Sequence, residues 1–308
     1  MTDLPIRAVQ FDFDGDDIPF LWNPQNPAFS LQLNSISLIA ISFERFIVAA
    51  VTEALDRVED PAVREEARSF LEQEAQHASW HRQHVRALTR RWPGLVHVLS
   101  GVIACFDELT QTRSLAFRLA YIADLEATFT PWFKMLLDND EALFSAGDDR
   151  VASLFLWHFV EEVEHRSSGL EIYDAVVPNR WYRTAVLPGV LRHMNRLLAV
   201  ITDGFNAAVP EPDRPVDARI LLPMVAVKDR LRHVPLLGRR FRDALVVPDC
   251  YVGVGPAHRK AAGWGVLRSQ TPFHDPGGVP VPAFAGRWFA RYDAGEDVGH
   301  WYRGARVT

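Results

Sequence analysis

The placement of proline limits this fold more than any other feature of the chain. Residues 35–177 hold three prolines, Pro61, Pro93 and Pro131, whereas residues 178–308 hold thirteen. Proline lacks the N–H that a helix interior needs. The first stretch can therefore carry long helices, and much of the second cannot. Ile36, Ile39, Ala40, Phe43, Ile47 and Ala50 recur at helical spacing and predict a helix over 35–57. Asp60-Pro61 supplies an N-cap and a first-turn proline for a second helix, which runs to about residue 91 before Pro93-Gly94. A shorter helix is expected over 96–109, a third long one over 111–137, and a fourth that starts after Ala146-Gly147-Asp148 and runs to Val177, where Pro178 ends it. Further helices are predicted over 182–206 and 219–233. Residues 1–34 read as an irregular lead-in, with turn signals at Asn23-Pro24 and Asn26-Pro27. From Val246 onward, ten glycines and six prolines predict loops and short strands, and Trp264, Trp288 and Trp301 can bury area against the rest. The fold class is all-α: a bundle over residues 35–210, with residues 211–308 packing on it as a helical piece plus a Gly/Pro/aromatic-rich segment.

Five of the eleven histidines fall in two windows of the predicted long helices: His77, His81 and His84, then His158 and His165. Each window holds a Glu-x-x-His pair, Glu74/His77 and Glu162/His165. Positions i and i+3 share a helix face, so both side chains of a pair can reach one metal ion. Each pair is preceded by a lone glutamate on the previous long helix, Glu44 thirty residues before Glu74 and Glu126 thirty-six before Glu162. Two antiparallel helix pairs, each offering one Glu and one Glu-x-x-His, match the ligand recipe of the ferritin-like di-iron and di-manganese carboxylate proteins. Charge agrees, because two divalent cations offset four glutamates whose burial would otherwise be prohibitive. The predicted metal ligands are Glu44, Glu74, His77, Glu126, Glu162 and His165. Oxygen and imidazole donors suit iron first and manganese second. His81, His158 and Glu161 are candidates to join or orient these ligands. His84 reads as a polar helix edge, and the i+3 rule prefers Glu162 over Glu161.

Composition excludes several classes. With 48% hydrophobic residues the chain is not disordered, and a net charge of −6 offers no broad cationic field for nucleic acid. Two distant cysteines, Cys105 and Cys250, argue against a disulfide scaffold. The N-terminus carries Asp3, Asp12, Asp14, Asp16 and Asp17 in place of a basic start and apolar run, so no signal peptide is expected. The apolar stretch 186–201 is broken by Arg192, His193 and Arg196, so no membrane span is expected and the protein reads as cytoplasmic.

Several segments resemble the bacterial family of predicted metal-dependent hydrolases, a ferritin-like group. They are Trp22-Asn23-Pro24 with Ser35-Ile36-Ser37, Phe43-Glu44-Arg45-Phe46, Glu72 through His77 with His81, Leu125-Glu126, and Trp157-His158 leading to Glu161-Glu162-Val163-Glu164-His165. The resemblance covers roughly residues 5–210 and implies a helical bundle with a bound metal pair. The chain departs from the family pattern at Phe43, often glycine there, and at Ala127, often histidine. Three functions fit the motif. The first expectation is a di-iron or iron/manganese oxidoreductase that activates O2, with an electron donor, to oxidise a small apolar substrate. The alternative is a hydrolase that uses water activated by two metals. The third is a non-catalytic metal-binding bundle. A homodimer is compatible with each.

Overall fold

The computed structural model describes residues 4–15, 17–235 and 238–303; Asp3 and Asp16 of the acidic N-terminal run lie outside the described residues. Every regular element among the described residues is helical. In chain order these are α1 (Pro27–Leu55), α2 (Pro61–Arg91), α3 (Leu95–Thr112), α4 (Leu115–Leu137), α5 (Asp140–Phe144), α6 (Asp149–Glu164), α7 (Ser168–Val176), α8 (Arg180–Ala208), α9 (Pro223–Leu231), α10 (Pro256–Ser269) and α11 (Ala283–Asp293), with short 3-10 turns between the later ones.

Helix α1 packs along α2, and α4 packs against α6, α7, α8 and α10. Local chemistry sets the starts. Asp60 accepts from Ala62 N, Ser114 from Phe117 N, and Asp148 from Arg150 N and Val151 N, each satisfying an otherwise orphaned first-turn donor. Helix α1 begins eight residues before the predicted start. Asn26-Pro27, read as a turn, is in fact an N-cap with proline at N1: the Asn26 side chain accepts from Phe29 N. By length and composition alone α1 is long and apolar enough to cross a membrane, and 72% of its most apolar window is buried inside the protein.

The described residues of the remaining lead-in, 4–15 and 17–26, form no long element but are not loose. Phe11, Phe13, Ile18, Phe20 and Trp22 are buried, and Phe11 sits against Trp80 and Trp157 with ring centroids 5.2 and 5.5 Å away.

The predicted fourth helix is two. It breaks at His165, whose backbone leaves the helical region, and resumes at Ser168. Serine and glycine are weak helix formers, and the step brings Gly169 over the bundle. A Cβ at Gly169 would lie 2.9 Å from Glu126 Cγ, so only glycine fits there without displacing that carboxylate.

The segment after residue 246 forms two helices and no strand among the described residues. The prolines that argued against helix sit at their starts: Pro256 is at the first position of α10, and Pro282 precedes α11. Trp288 and Trp301 are buried, whereas Trp264 is 64% exposed and covers nothing. The segment is tied to the bundle by Trp301 N donating to Ser153 Oγ and Tyr302 N to Asp149 Oδ1, both at 2.8 Å.

Candidate metal centre

Four helices deliver the chemistry. Glu44 comes from α1; Glu74, His77, His81 and His84 come from one face of α2; Glu126 comes from α4; and His158, Glu161, Glu162 and His165 come from the last two turns of α6 and its C-cap. All ten are between 0 and 4% exposed. So many ionisable groups in a dry interior must satisfy one another or a guest.

Donor atoms of Glu74, His77, Glu162 and His165 lie within 4.8 Å of one another, and so do those of Glu44, His77 and His158. Glu126 joins through its Oε2, 3.7 Å from His165 Nδ1. The six predicted ligands thus meet in one place, and His158 meets them there. Its Nε2 lies 2.9 Å from Glu162 Oε1 and 3.6 Å from Glu44 Oε1.

Glu161 takes another position. Its Oε2 is 3.0 Å from His77 Nε2, which leaves His77 Nδ1 to face the cluster, 3.7 Å from Glu162. Arg7 from the lead-in stands 3.5 Å behind Glu161 and also grips Glu164 through two bonds of 2.6 and 2.8 Å. On the other flank His158 Nδ1 meets His81 Nε2 at 2.7 Å, and Ser37 Oγ lies 2.9 Å from both His81 Nδ1 and His84 Nδ1. His84 is therefore not an exposed edge: it is fully buried within this chain of contacts.

The residues fit a cationic guest. Both oxygens of Glu74 and of Glu126, one each of Glu44 and Glu162, Nδ1 of His77 and both ring nitrogens of His165 are buried without a protein hydrogen-bond partner. Native interiors rarely leave such atoms unpaired. Burial and then the neighbouring Glu126 carboxylate push Glu44 well above the carboxylate range; Glu74 and Glu162 are raised by burial and by the other glutamates. Burial lifts Glu126 to about 8. It also pushes His77 down to about 3 and His165 well below its ordinary value, which keeps both in the neutral form that ligates metal. Carboxylates with imidazoles and no thiolate suit hard or borderline divalent ions.

Beside the cluster lies a cavity of about 470 Å³. Glu44, His158 and Glu162 form its wall toward the cluster, and Ile36, Ile39, Phe43, Phe129, Phe133, Leu187 and Val190 form most of the rest. Sequence reasoning missed Arg7 and Ser37. Ser37 is seven residues from Glu44 and so shares its helix face, a signal that was available; Arg7 arrives from an irregular segment and has no periodic signature.

A search of curated proteins and a search of solved structures each found no match. A family model described as predicted metal-dependent hydrolase matches residues 5–233, which contain every residue of the cluster. This match overturns the first expectation: it points to hydrolysis and offers nothing for oxygen activation, and the shared ligand set never separated the two, since the same six side chains serve either chemistry. The buried Glu/His cluster and the extent of the match lead to one conclusion, that the chain belongs to the predicted metal-dependent hydrolase family.

Proposed function

We propose that the protein hydrolyses a small, largely apolar molecule with divalent metal held by Glu44, Glu74, His77, Glu126, Glu162 and His165. The observation that carries this reading is the set of unpartnered buried donor atoms on those residues, placed against an apolar cavity in a chain of this family. Four carboxylates balance two divalent ions, and iron or manganese suits the donor set. When bound, such ions supply Lewis-acid polarisation and activation of water.

The chain's own groups do the rest. The apolar walls admit the organic part of the substrate and exclude bulk water. Glu161, held by Arg7, fixes which nitrogen of His77 turns inward. His158 borders both the cavity and the cluster. Hydrolysis needs a proton taken from water and one given to the leaving group, and His158 Nε2 is placed to hold that proton, with His81 fixing the ring from behind.

Anaerobic assays of metal-loaded protein in 18O-labelled water, with medium-chain esters and amides as substrates, test the reading. It predicts metal-dependent cleavage with label in the acid product and loss of turnover in Glu162→Gln. Turnover that requires O2, or no cleavage of any substrate by fully loaded protein, overturns it.

A further inference from the structure

Leu191 from α8 and Leu267 from α10 line the cavity and are 54% and 65% exposed, which places them at its mouth. Trp264, one turn before Leu267 on α10, is as open to solvent. Leu221 carries the cavity wall to the 3-10 turn Ala218–Leu221, and α9 follows that turn directly. Among the described residues, α9 is the one α-helix with no buried residue. It packs on the two 3-10 turns that flank it, Ala218–Leu221 and Gly238–Phe241. Met224, Val227 and Lys228 share one of its faces, and all three are exposed.

Charge concentrates in the same place. Residues 224–243 hold six Lys and Arg against two acids, Asp229 and Asp243, in a chain whose net charge is −6. Asp229 takes up Arg232. The other five, Lys228, Arg230, Arg239, Arg240 and Arg242, are exposed and form no ion pair among the described residues. Single exposed apolar side chains are ordinary, but a group of them rimmed by unpaired cations marks an interaction surface. A nucleic-acid duplex would engage the cations and leave Met224, Trp264 and Leu267 in water. An anionic bilayer takes both: its headgroups meet the cations, and the boundary beneath them accepts Trp, Leu and Met side chains.

We propose that the face formed by α9, the turn after it and the exposed residues of α8 and α10 docks on the surface of an anionic lipid bilayer. Docked this way, the cavity mouth opens toward lipid, and an apolar substrate enters without crossing water. That consequence rests on the hydrolytic reading; the docking does not.

Sedimentation of the full, metal-loaded chain with vesicles tests it, using phosphatidylcholine alone and phosphatidylcholine with about 30% phosphatidylglycerol, at about 0.1 M salt. The anionic vesicles are expected to bind at least about tenfold more tightly than the neutral ones. Arg239→Gln/Arg240→Gln/Arg242→Gln should weaken that binding on the order of a hundredfold, about fivefold per cation removed. Trp264→Ser should weaken it by at least about threefold, because apolar surface no longer leaves water. These four side chains are exposed, so both variants should melt with the wild type. Binding to neither vesicle, equal binding to both, a loss below about tenfold in the triple variant, or no loss in Trp264→Ser overturns the proposal. So does a short duplex DNA bound as tightly as the anionic vesicles, which would make the patch a general polyanion site. The binding is read without turnover, so absence of hydrolysis leaves the docking standing, and hydrolysis without vesicle binding defeats the docking alone.

Discussion

The bundle of α1, α2, α4 and α6 and the segment after residue 246 solve opposite problems. The first buries ten ionisable side chains together and is held by long helices whose apolar faces surround them. The second has little core of its own and is held to the bundle by scattered polar ties and a few aromatics such as Trp288 and Trp301. The buried Glu/His cluster sits in the first, within the family match, and part of the cavity wall comes from the second, outside it. Such a division has a physical consequence: ligand geometry tolerates little change, whereas a cavity wall changes specificity by exchange of a few side chains.

Removing metal should strike the first region hardest. Each bound ion stabilises the folded chain by about 4 kcal/mol when free metal exceeds Kd a thousandfold, so chelation should lower the melting temperature steeply. A melting curve that does not move while metal is shown to leave would place the metal outside the bundle.

The metal-free protein should then show an unusual pH response. Glu126 titrates at about 8 when folded against an ordinary 4.5, so the folded state holds the extra proton and this group's contribution to stability is lost as pH rises toward 8. Burial lowers His77 to about 3 from an ordinary 6.5. The unfolded state therefore takes up that proton first, and stability is lost as pH falls below 6.5. Between pH 6.5 and 8 the raised carboxyls act together, the glutamates with Asp124, which burial lifts to about 7, and denaturant midpoints of metal-free protein should fall across that window. Metal-loaded protein should not follow that fall, because the cations hold the carboxylates ionised; parallel curves for the two forms would deny the coupling.

Arg183 joins the two regions. It is 1% exposed, pairs with Asp124 at 3.0 Å, and donates to Ser269 O and Thr271 O at the end of α10. Arg183→Met leaves Asp124 buried without its partner, which should cost about 3–5 kcal/mol in urea unfolding. A loss below about 1 kcal/mol would mean that the tail is not held through this pair.

The smallest effect is expected at Ser37, which bridges His81 and His84. Ser37→Ala should cost about 1–2 kcal/mol and leave metal content unchanged, since Ser37 touches none of the six proposed ligands. Loss of metal in that variant would extend the centre into α2 beyond His81.

The sequence disclosed the bundle far better than the tail. Glu74/His77 and Glu162/His165 are visible because a helix repeats at short range, and Asp60-Pro61 and Leu137 mark boundaries that the structure keeps. The split at His165 was hidden, because it serves a contact between Gly169 and Glu126 that is 43 residues apart in the chain. Pro256 and Pro282 misled for a different reason: proline forbids a helix interior but favours a helix start, and only the residues after it decide which applies. The burial of His84 was within reach of periodicity, because it follows His77 by seven residues on the same face of α2; Phe13 and Phe155, with ring centroids 5.4 and 6.1 Å away, complete its cover.

Metal content per chain tests the central claim most directly. Elemental analysis of protein loaded with iron or manganese and then freed of excess should give two ions per chain in the wild type, and fewer in Glu162→Ala and in Glu126→Ala, each of which removes a carboxylate from the cluster while leaving the helices intact. A wild-type protein that retains no metal, or two variants that retain as much as the wild type, would contradict the assignment of these glutamates and histidines as a metal centre.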